Sequence, residues 1–180
     1  YMEERKGLTS AWRIRDAYRW NEAIGMIAFG PRGIGKSAYS VHTAAKALVP
    51  MSEKPDYVEL QKWIIFTPKE FCEMVKRVKS RQLVLVWDDA GYWINRLFWH
   101  ERFVRESLRY MTIARTQFSC IIFNTPSLRM LPSKILELED VFRVRIIKTT
   151  EEQNTRYQRL RLARASEVWY SDDLTKHGTR

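Results

Sequence analysis

Residues 30–37 match the pattern G-x-x-x-x-G-K-[S/T], and three of the chain's seven glycines fall within these eight residues. Glycine permits the positive φ angles and the close approach that let backbone N–H groups surround a phosphate. In such a loop the lysine reaches the β- and γ-phosphate oxygens and the hydroxyl binds Mg²⁺. The pattern therefore predicts a binding site for ATP and Mg²⁺, formed by Gly30, Pro31, Arg32, Gly33, Ile34, Gly35, Lys36, Ser37 and Ala38.

Two adjacent acids, Asp88 and Asp89, follow the apolar run LVLVW at residues 83–87. A buried parallel strand delivers its last residues to the crevice where α/β sheets bind ligands, so Asp88 is expected beside the phosphates, holding Mg²⁺ through water. Asp89 would then orient and partly deprotonate an attacking water. The alternative is that one or both acids only cap a following helix.

An amide ends a third apolar segment, SCIIFN at residues 119–124. At the end of a buried strand between the two motif strands, Asn124 would contact both the γ-phosphate and the attacking water. Asparagine also favours strand ends and turns for local reasons, particularly before Thr125 and Pro126.

Strand-like and helix-like patterns alternate along the chain. Apolar runs predict strands at 23–29, 63–67, 83–87, 119–124 and 141–147. Helical patterns predict five helices. Thr9 and Ser10 cap the first, which ends before Trp20, and the others lie at 36–48, from Pro68 to about 78, at about 102–115 and at 133–138. This alternation predicts a three-layer α/β fold with a mainly parallel five-stranded sheet.

The C-terminal part has a different pattern, because basic and apolar residues alternate with period two in FRVRIIK and RYQRLRLAR. Such alternation predicts an antiparallel β-hairpin at the sheet edge, with Arg143, Arg145, Arg159 and Arg161 on one face. That face is either a nucleic-acid surface or an edge strand that its charges protect against aggregation.

The order of these motifs resembles the additional-strand catalytic division of P-loop NTPases, which includes AAA+ and RecA-like ATPases. The resemblance covers roughly residues 20–148. In that division the catalytic acid and the sensor residue lie on neighbouring strands beside the phosphate-loop strand.

Two subfamilies are similar to different parts of the chain. DDAGYW resembles the DD-x-G of DnaA and DnaC/IstB-type proteins. YMTIARTQFSCIIFNTPS and LPSKILELED look like HerA/FtsK and Zot-type translocase and packaging ATPases, which usually have Gln near the end of the sensor strand and Glu as the acid. About thirty residues follow the fifth strand, and they indicate a hairpin rather than a helical lid. This favours the translocase-like or Zot-like group.

The resemblance implies an oligomer with ATP sites between subunits. Such ATPases normally borrow an arginine from a neighbouring subunit to neutralise charge on the γ-phosphate. Arg115, before the sensor strand, and Arg129, after it, are the candidates.

Composition limits the remaining choices. A formal net charge of +10 points to a polyanionic partner, nucleic acid or an anionic membrane, with DNA favoured. No run of eighteen apolar residues or signal-peptide pattern is visible, so we expect no membrane span and a cytoplasmic protein. Cys72 and Cys120, in apolar surroundings, are expected to be reduced core thiols. We expect residues 1–180 to form one domain: an N-terminal helix at 1–20, a nucleotide-binding core at 21–148 and a hairpin or tail at 149–180.

Together these features predict a Mg²⁺-dependent ATPase acting on nucleic acid, a translocase, packaging or replication-associated motor of a virus or plasmid. Two alternatives stay open. One is a P-loop kinase for nucleotides or small molecules, and the other is a weakly hydrolysing, nucleotide-gated DNA-binding module.

Overall fold

The computed structural model describes residues 9–50, 52–98, 100–138 and 140–147, and the backbone of residues 164–168. The strands are β1 (Ile24–Phe29), β2 (Ile64–Ile65), β3 (Gln82–Trp87), β4 (Phe118–Thr125), β5 (Val141–Ile147) and β6 (Arg164–Val168). The α-helices are α1 (Thr9–Arg19), α2 (Lys36–Leu48), α3 (Tyr57–Gln61), α4 (Pro68–Arg77), α5 (Ala90–Trp93), α6 (Arg102–Gln117) and α7 (Ser133–Leu136). Short 3-10 helices lie at Arg96–Phe98 and Leu128–Met130.

These six strands form one sheet in the order β2–β3–β4–β1–β5–β6. The first five are parallel, and β6 pairs antiparallel with β5. The predicted α/β fold with a five-stranded parallel sheet is therefore confirmed. The phosphate-loop strand β1 lies beside β4, and β4 lies beside β3, which is the arrangement that the resemblance to the additional-strand division implies.

The sheet separates two hydrophobic cores, because successive strand residues point to opposite faces. One core joins Ile27, Leu85 and Phe123 to apolar residues of α4, α5, α6 and α7. The other joins Met26 and Val86 to α1, α2 and α3. Helices thus cover both faces, and α1 is an integral part of the second core.

Helix α4 begins at the predicted residue, and the reason is local. Thr67 accepts a hydrogen bond from the backbone N–H of Glu70, and the Glu70 carboxylate accepts from the backbone N–H of Thr67. Pro68 occupies the first turn, where no N–H is needed. At α1, by contrast, the expected cap Ser10 lies inside the first turn and its hydroxyl contacts the Tyr39 hydroxyl at 2.7 Å.

The antiparallel pairing predicted at the C-terminal edge is present, with Arg143 opposite Val168 and Ile147 opposite Arg164. The second strand was expected at 156–164, and of that segment only Arg164, the first residue of β6, is described. Arg159, Arg161 and the predicted turn at 149–155 lie outside the described residues.

Candidate functional site

The strand register brings the three sequence motifs to one edge of the sheet. Ala28 of β1 pairs with Asn124 of β4, and Trp87 of β3 pairs with Phe123. Asp88, which follows Trp87, is therefore level with Asn124. The phosphate loop leaves β1 at the same edge, because the carboxyl ends of parallel strands lie together.

The loop between β1 and α2 has the backbone shape that its glycines predict. Gly33 and Gly35 have φ angles of 70° and 102°, which other residues rarely adopt. Gly35 immediately precedes α2, so the first N–H groups of that helix face the loop. Between these two glycines, Ile34 is buried in the core that contains α1, α2 and α3, and this contact anchors the loop.

Lys36, the first residue of α2, is buried, and its Nζ donates to the Pro31 carbonyl oxygen at 2.9 Å. Burial lowers the pKa of Lys36 below its ordinary value, the Asp89 and Asp88 carboxylates act in the opposite direction, and Arg32 lowers it further. The ammonium group therefore lies within the electrostatic influence of both acids and of the loop arginine.

Asp88 forms hydrogen bonds to three other residues of the site. Its Oδ1 accepts from the Ser37 hydroxyl at 2.8 Å, from Asn124 Nδ2 at 2.7 Å and from the Asp89 N–H at 3.1 Å. Its own N–H donates to the Ile65 carbonyl oxygen at 2.9 Å. The carboxylate thus links the first turn of α2 to the ends of β3 and β4. Carboxylate oxygens together offer about four acceptor positions, so positions are left for a cation or its water.

Asn124 is placed differently from the sequence-based prediction. It is only 1% exposed, and its Oδ1 accepts a hydrogen bond from the buried hydroxyl of Ser40 while its Nδ2 holds Asp88. The amide therefore lies behind Asp88 and is not among the residues that line the cleft, and its contact with the γ-phosphate and the attacking water stays a prediction. Ser40 of α2 and Asp88 cover the Asn124 side chain.

Asp89 is exposed and lines the cleft beside the loop. Its φ and ψ angles of 50° and 29° are left-handed, a conformation that Asp and Asn tolerate better than most residues. Asp89 immediately precedes α5, and its side chain makes no cap hydrogen bond to that helix. The helix-cap alternative for Asp89 is therefore not supported by a side-chain contact.

A cleft of about 570 Å³ contains these groups. Its phosphate-loop wall includes Arg32, Lys36 and Ser37, and its opposite wall includes Asp89. The remaining lining residues come from α5 and from the segment after β4: Tyr92, Pro126 and Met130. Arg32 is exposed and lines the cleft.

The two candidate arginines lie at opposite ends of the sheet. Arg129 is exposed in the 3-10 helix after β4, next to the cleft residue Met130. Arg115 lies at the amino end of β4, where it lines a small cavity with Ala23 and Ile24. It is therefore at the far end of the sheet from the loop of its own chain.

The face of β5 that was expected to carry basic residues is only partly exposed to solvent. Arg145 is exposed and pairs in register with Phe29, the residue before the loop. Arg143 is 5% exposed, and its Nη2 donates to the Leu136 carbonyl oxygen at 3.4 Å. The prediction that Arg143 lies on an exposed face was wrong, because the segment containing α7 covers this end of the strand.

The donor set suits Mg²⁺. The Ser37 hydroxyl and an Asp88 carboxylate oxygen are 2.8 Å apart, and Mg²⁺ takes oxygen ligands of this kind together with phosphate oxygens and water. Among the described residues no group of three or more His, Cys, Asp or Glu side chains is arranged for a metal. A cation would therefore depend on Ser37, Asp88 and a bound phosphate.

Sequence reasoning missed Ser40 and the cleft residues Tyr92, Pro126 and Met130. Ser40 had a signal, because it lies three residues after Ser37 in α2 and therefore on the same side of the helix. Tyr92 likewise lies three residues after Asp89. Pro126 and Met130 had no comparable signal, since they reach the cleft through the path of the chain after β4.

No protein-family model matches the sequence. The uncharacterized protein B-251 of Sulfolobus spindle-shape virus 1 is 27% identical over 124 residues, which are 64% of this chain and 48% of the viral protein. The match thus spans about half the length of that relative.

Two solved structures are similar in fold. The N-terminal domain of zonular occludens toxin from Neisseria meningitidis is 14% identical with a TM-score of 0.48, over 84% of this chain and 96% of that domain. The genome packaging NTPase B204 from Sulfolobus turreted icosahedral virus 2, solved with AMPPCP, is 13% identical with a TM-score of 0.39. The match covers 76% of this chain and 80% of that chain. Their names coincide with the Zot-type and packaging ATPases that the sequence resembles. The P-loop fold itself follows from this chain's own strand order and loop.

Proposed function

We propose that the chain is a Mg²⁺-dependent ATPase that acts on nucleic acid, with DNA favoured, as an oligomeric motor of a mobile element. The observation that carries the ATPase assignment is the Asp88 carboxylate. One of its oxygens holds both the phosphate-loop serine and the β4 asparagine, and Asp89 stands next to it in the cleft. A hydrolytic site requires this proximity of phosphate loop and acid.

In this proposal the loop N–H groups and Lys36 bind the β- and γ-phosphates of ATP. Asp89 orients a water molecule and accepts its proton as the water oxygen bonds to the γ-phosphorus and the bond to the β-phosphate oxygen breaks. ADP and phosphate leave. Ser37 and Asp88 would hold Mg²⁺, which when bound would offset phosphate charge.

The nucleic-acid and mobile-element parts rest on other observations. The net charge of +10 favours a polyanionic partner, and the relative B-251 is a viral protein. In the described residues no helix is both long and apolar enough to span a bilayer.

Arg129, exposed at the cleft edge, and Arg115, at the far end of the sheet, are the candidates to contact a phosphate of a neighbouring copy. The proposal also keeps residues 1–180 as one domain, with an N-terminal helix at 1–20, a nucleotide-binding core at 21–148 and a hairpin or tail at 149–180.

The test compares three variants by phosphate release and by binding of a fluorescent ATP analogue. Lys36→Ala is expected to abolish nucleotide binding or turnover. Asp89→Asn should bind nucleotide like the wild type but turn over at least about a hundredfold more slowly, because the base is lost while the left-handed backbone is tolerated. Asp140→Asn is the matched control, since Asp140 is also exposed with a φ of 59° but precedes β5 at the far end of the sheet.

Wild-type hydrolysis by both Lys36→Ala and Asp89→Asn would show that the site assignment is wrong. Phosphoryl transfer to a nucleoside monophosphate, in place of phosphate release, would support the kinase alternative. Turnover with and without single- and double-stranded DNA, together with the mass of the assembly, separates a nucleic-acid motor from a free ATPase.

A further inference from the structure

The segment from Tyr92 to Phe103 exposes an unusual number of aromatic side chains. Trp93 is 41% exposed and Phe98 is 43% exposed, and Tyr92 and Phe103 are exposed as well. Large exposed apolar groups concentrated in a short stretch mark a contact surface more often than chance. We refer to the described residues of 92–103 as the aromatic segment.

This exposure occurs on a segment that is anchored to the core. Ile94, within the aromatic segment, is fully buried, and Val104, directly after it, is buried as well, both in the core that contains α4 and α6. The Ile94 N–H donates to the Ala90 carbonyl oxygen at 2.9 Å, and the Phe98 N–H donates to the Asn95 carbonyl oxygen at 2.8 Å. The backbone that carries Tyr92, Trp93 and Phe98 is therefore held by hydrogen bonds and by a buried neighbour.

The charges around these rings favour a nucleic acid. Arg96 and Arg105 are exposed, and Arg102, also exposed, forms an ion pair with Glu106 at 3.0 Å. Residues 92–106 contain two acids, Glu101 and Glu106. These residues contain three arginines and no lysine. The planar guanidinium both stacks on bases and binds phosphate in a forked geometry, which the ammonium group of lysine does not do. Exposed aromatic rings beside such cations are the pattern that binds single strands.

The aromatic segment is also joined to the cleft. Tyr92 lines the cleft, and its ring meets the Trp93 ring edge-to-face at a centroid distance of 5.3 Å. Both residues belong to α5, and the Asp89 carbonyl oxygen accepts from the Tyr92 N–H at 2.8 Å. A displacement of Trp93 therefore acts on the helix that immediately follows Asp89.

We propose that the aromatic segment, with Arg96 and Arg105, binds single-stranded nucleic acid by stacking and phosphate contacts, and that α5 transmits this binding to Asp89. The binding surface stands on its own observations, whereas the effect on turnover rests on the proposed ATPase function. The occupant is a single strand because unpaired bases present the flat faces that exposed aromatic rings can stack on.

The test measures binding of a fluorescein-labelled single-stranded oligonucleotide by anisotropy, without nucleotide, and then ATP turnover with and without unlabelled strand. The double variant Trp93→Ala/Phe98→Ala should bind about tenfold or more weakly and lose the stimulation of turnover by the strand. Arg96→Glu/Arg105→Glu is a second variant at exposed positions that should fold normally, lose affinity and show a shallower salt dependence. Trp20→Ala is the matched control, since Trp20 is 68% exposed at the end of α1.

Affinity equal to the wild type in both double variants would overturn the proposal, and so would an equal loss in Trp20→Ala. Conversion of an oligomer to a monomer with unchanged oligonucleotide affinity would assign the segment to a contact between copies. Loss of binding to phosphatidylserine vesicles alone would assign it to a membrane surface. Weaker oligonucleotide binding in a protein that never hydrolyses ATP would uphold the surface and refute only the ATPase function.

Discussion

Ser40 and Asn124 show how a buried pair determines the position of a charged group. Ser40 is fully buried on α2, and its hydroxyl donates to Asn124 Oδ1. That contact leaves the Asn124 amide N–H groups directed at Asp88 Oδ1, 2.7 Å away. The orientation of an amide is decided by its hydrogen-bond partners, so Ser40 acts on Asp88 through Asn124.

Replacing Ser40 with alanine is expected to destabilise the fold by about 1–3 kcal/mol, because the Asn124 oxygen would be left buried without its donor. Turnover should fall about tenfold or more with little change in nucleotide affinity, since the Asn124 amide that helps to position Asp88 is no longer oriented. Urea unfolding and steady-state kinetics measure the two effects.

Thr43→Val is the matched control on the same helix. The Thr43 hydroxyl is buried and has no hydrogen-bond partner among the described residues, so its removal should be neutral or stabilising. Equal effects of the two substitutions would contradict the proposed role of Ser40.

At the scale of elements, the short helix α5 is seated closely on the end of β4. A Cβ atom added to Gly91 would lie 2.0 Å from Thr125 Oγ1 and 2.8 Å from Thr125 Cβ. The Thr125 hydroxyl is itself held, since it donates to the Ser127 carbonyl oxygen at 2.8 Å. Only glycine allows this approach, and the approach determines where α5 begins and where Asp89 stands. The glycine in the DDAG motif thus has a steric explanation.

Gly91→Ala is therefore expected to displace α5, to lower the free energy of unfolding by about 1–3 kcal/mol and to reduce turnover more than nucleotide binding. Gly33→Ala is a control for stability alone, because no atom lies within 4 Å of its added Cβ and only the cost of a φ of 70° remains. A Gly91→Ala protein with wild-type stability and turnover would show that α5 can move without consequence.

At the scale of the whole molecule, both cysteines report on the integrity of the sheet and its two cores. Cys120 lies in β4, in the centre of the sheet, and Cys72 lies in α4, and both are free and buried, as the sequence predicted. Burial raises the pKa of each thiol, most strongly for Cys120. The reactive thiolate is therefore scarce at neutral pH.

A thiol reagent such as DTNB is consequently expected to label the native protein very slowly and the urea-unfolded protein at once. In a Cys72→Ala variant, the labelling rate of Cys120 should follow global unfolding as urea increases, because a central strand opens only with the whole sheet. Rapid labelling of Cys120 under native conditions would mean that β4 is exposed by a local opening.

Much of the fold could be predicted because its signals are local. The bounds of α2 and β5 agree with the prediction, since glycine, proline and apolar periodicity act over a few residues. The capping box that starts α4 is equally local. The short helix α3 was not predicted, and β2 has only two residues where five were expected, because packing and neighbouring strands decide such short elements.

By itself the sequence determined the phosphate loop, the acids at the end of β3 and the alternating order of strands and helices. Only the tertiary structure decided that Asp88 joins Ser37 and Asn124, which are 51 and 36 positions away, and that Ser40 holds Asn124 across 84 positions. It also decided that Asn124 and Arg143 are buried while the rings of Tyr92, Trp93, Phe98 and Phe103 are exposed. The physical reason is that the direction and burial of a side chain depend on strand register and on the elements packed over it, which distant parts of the chain supply.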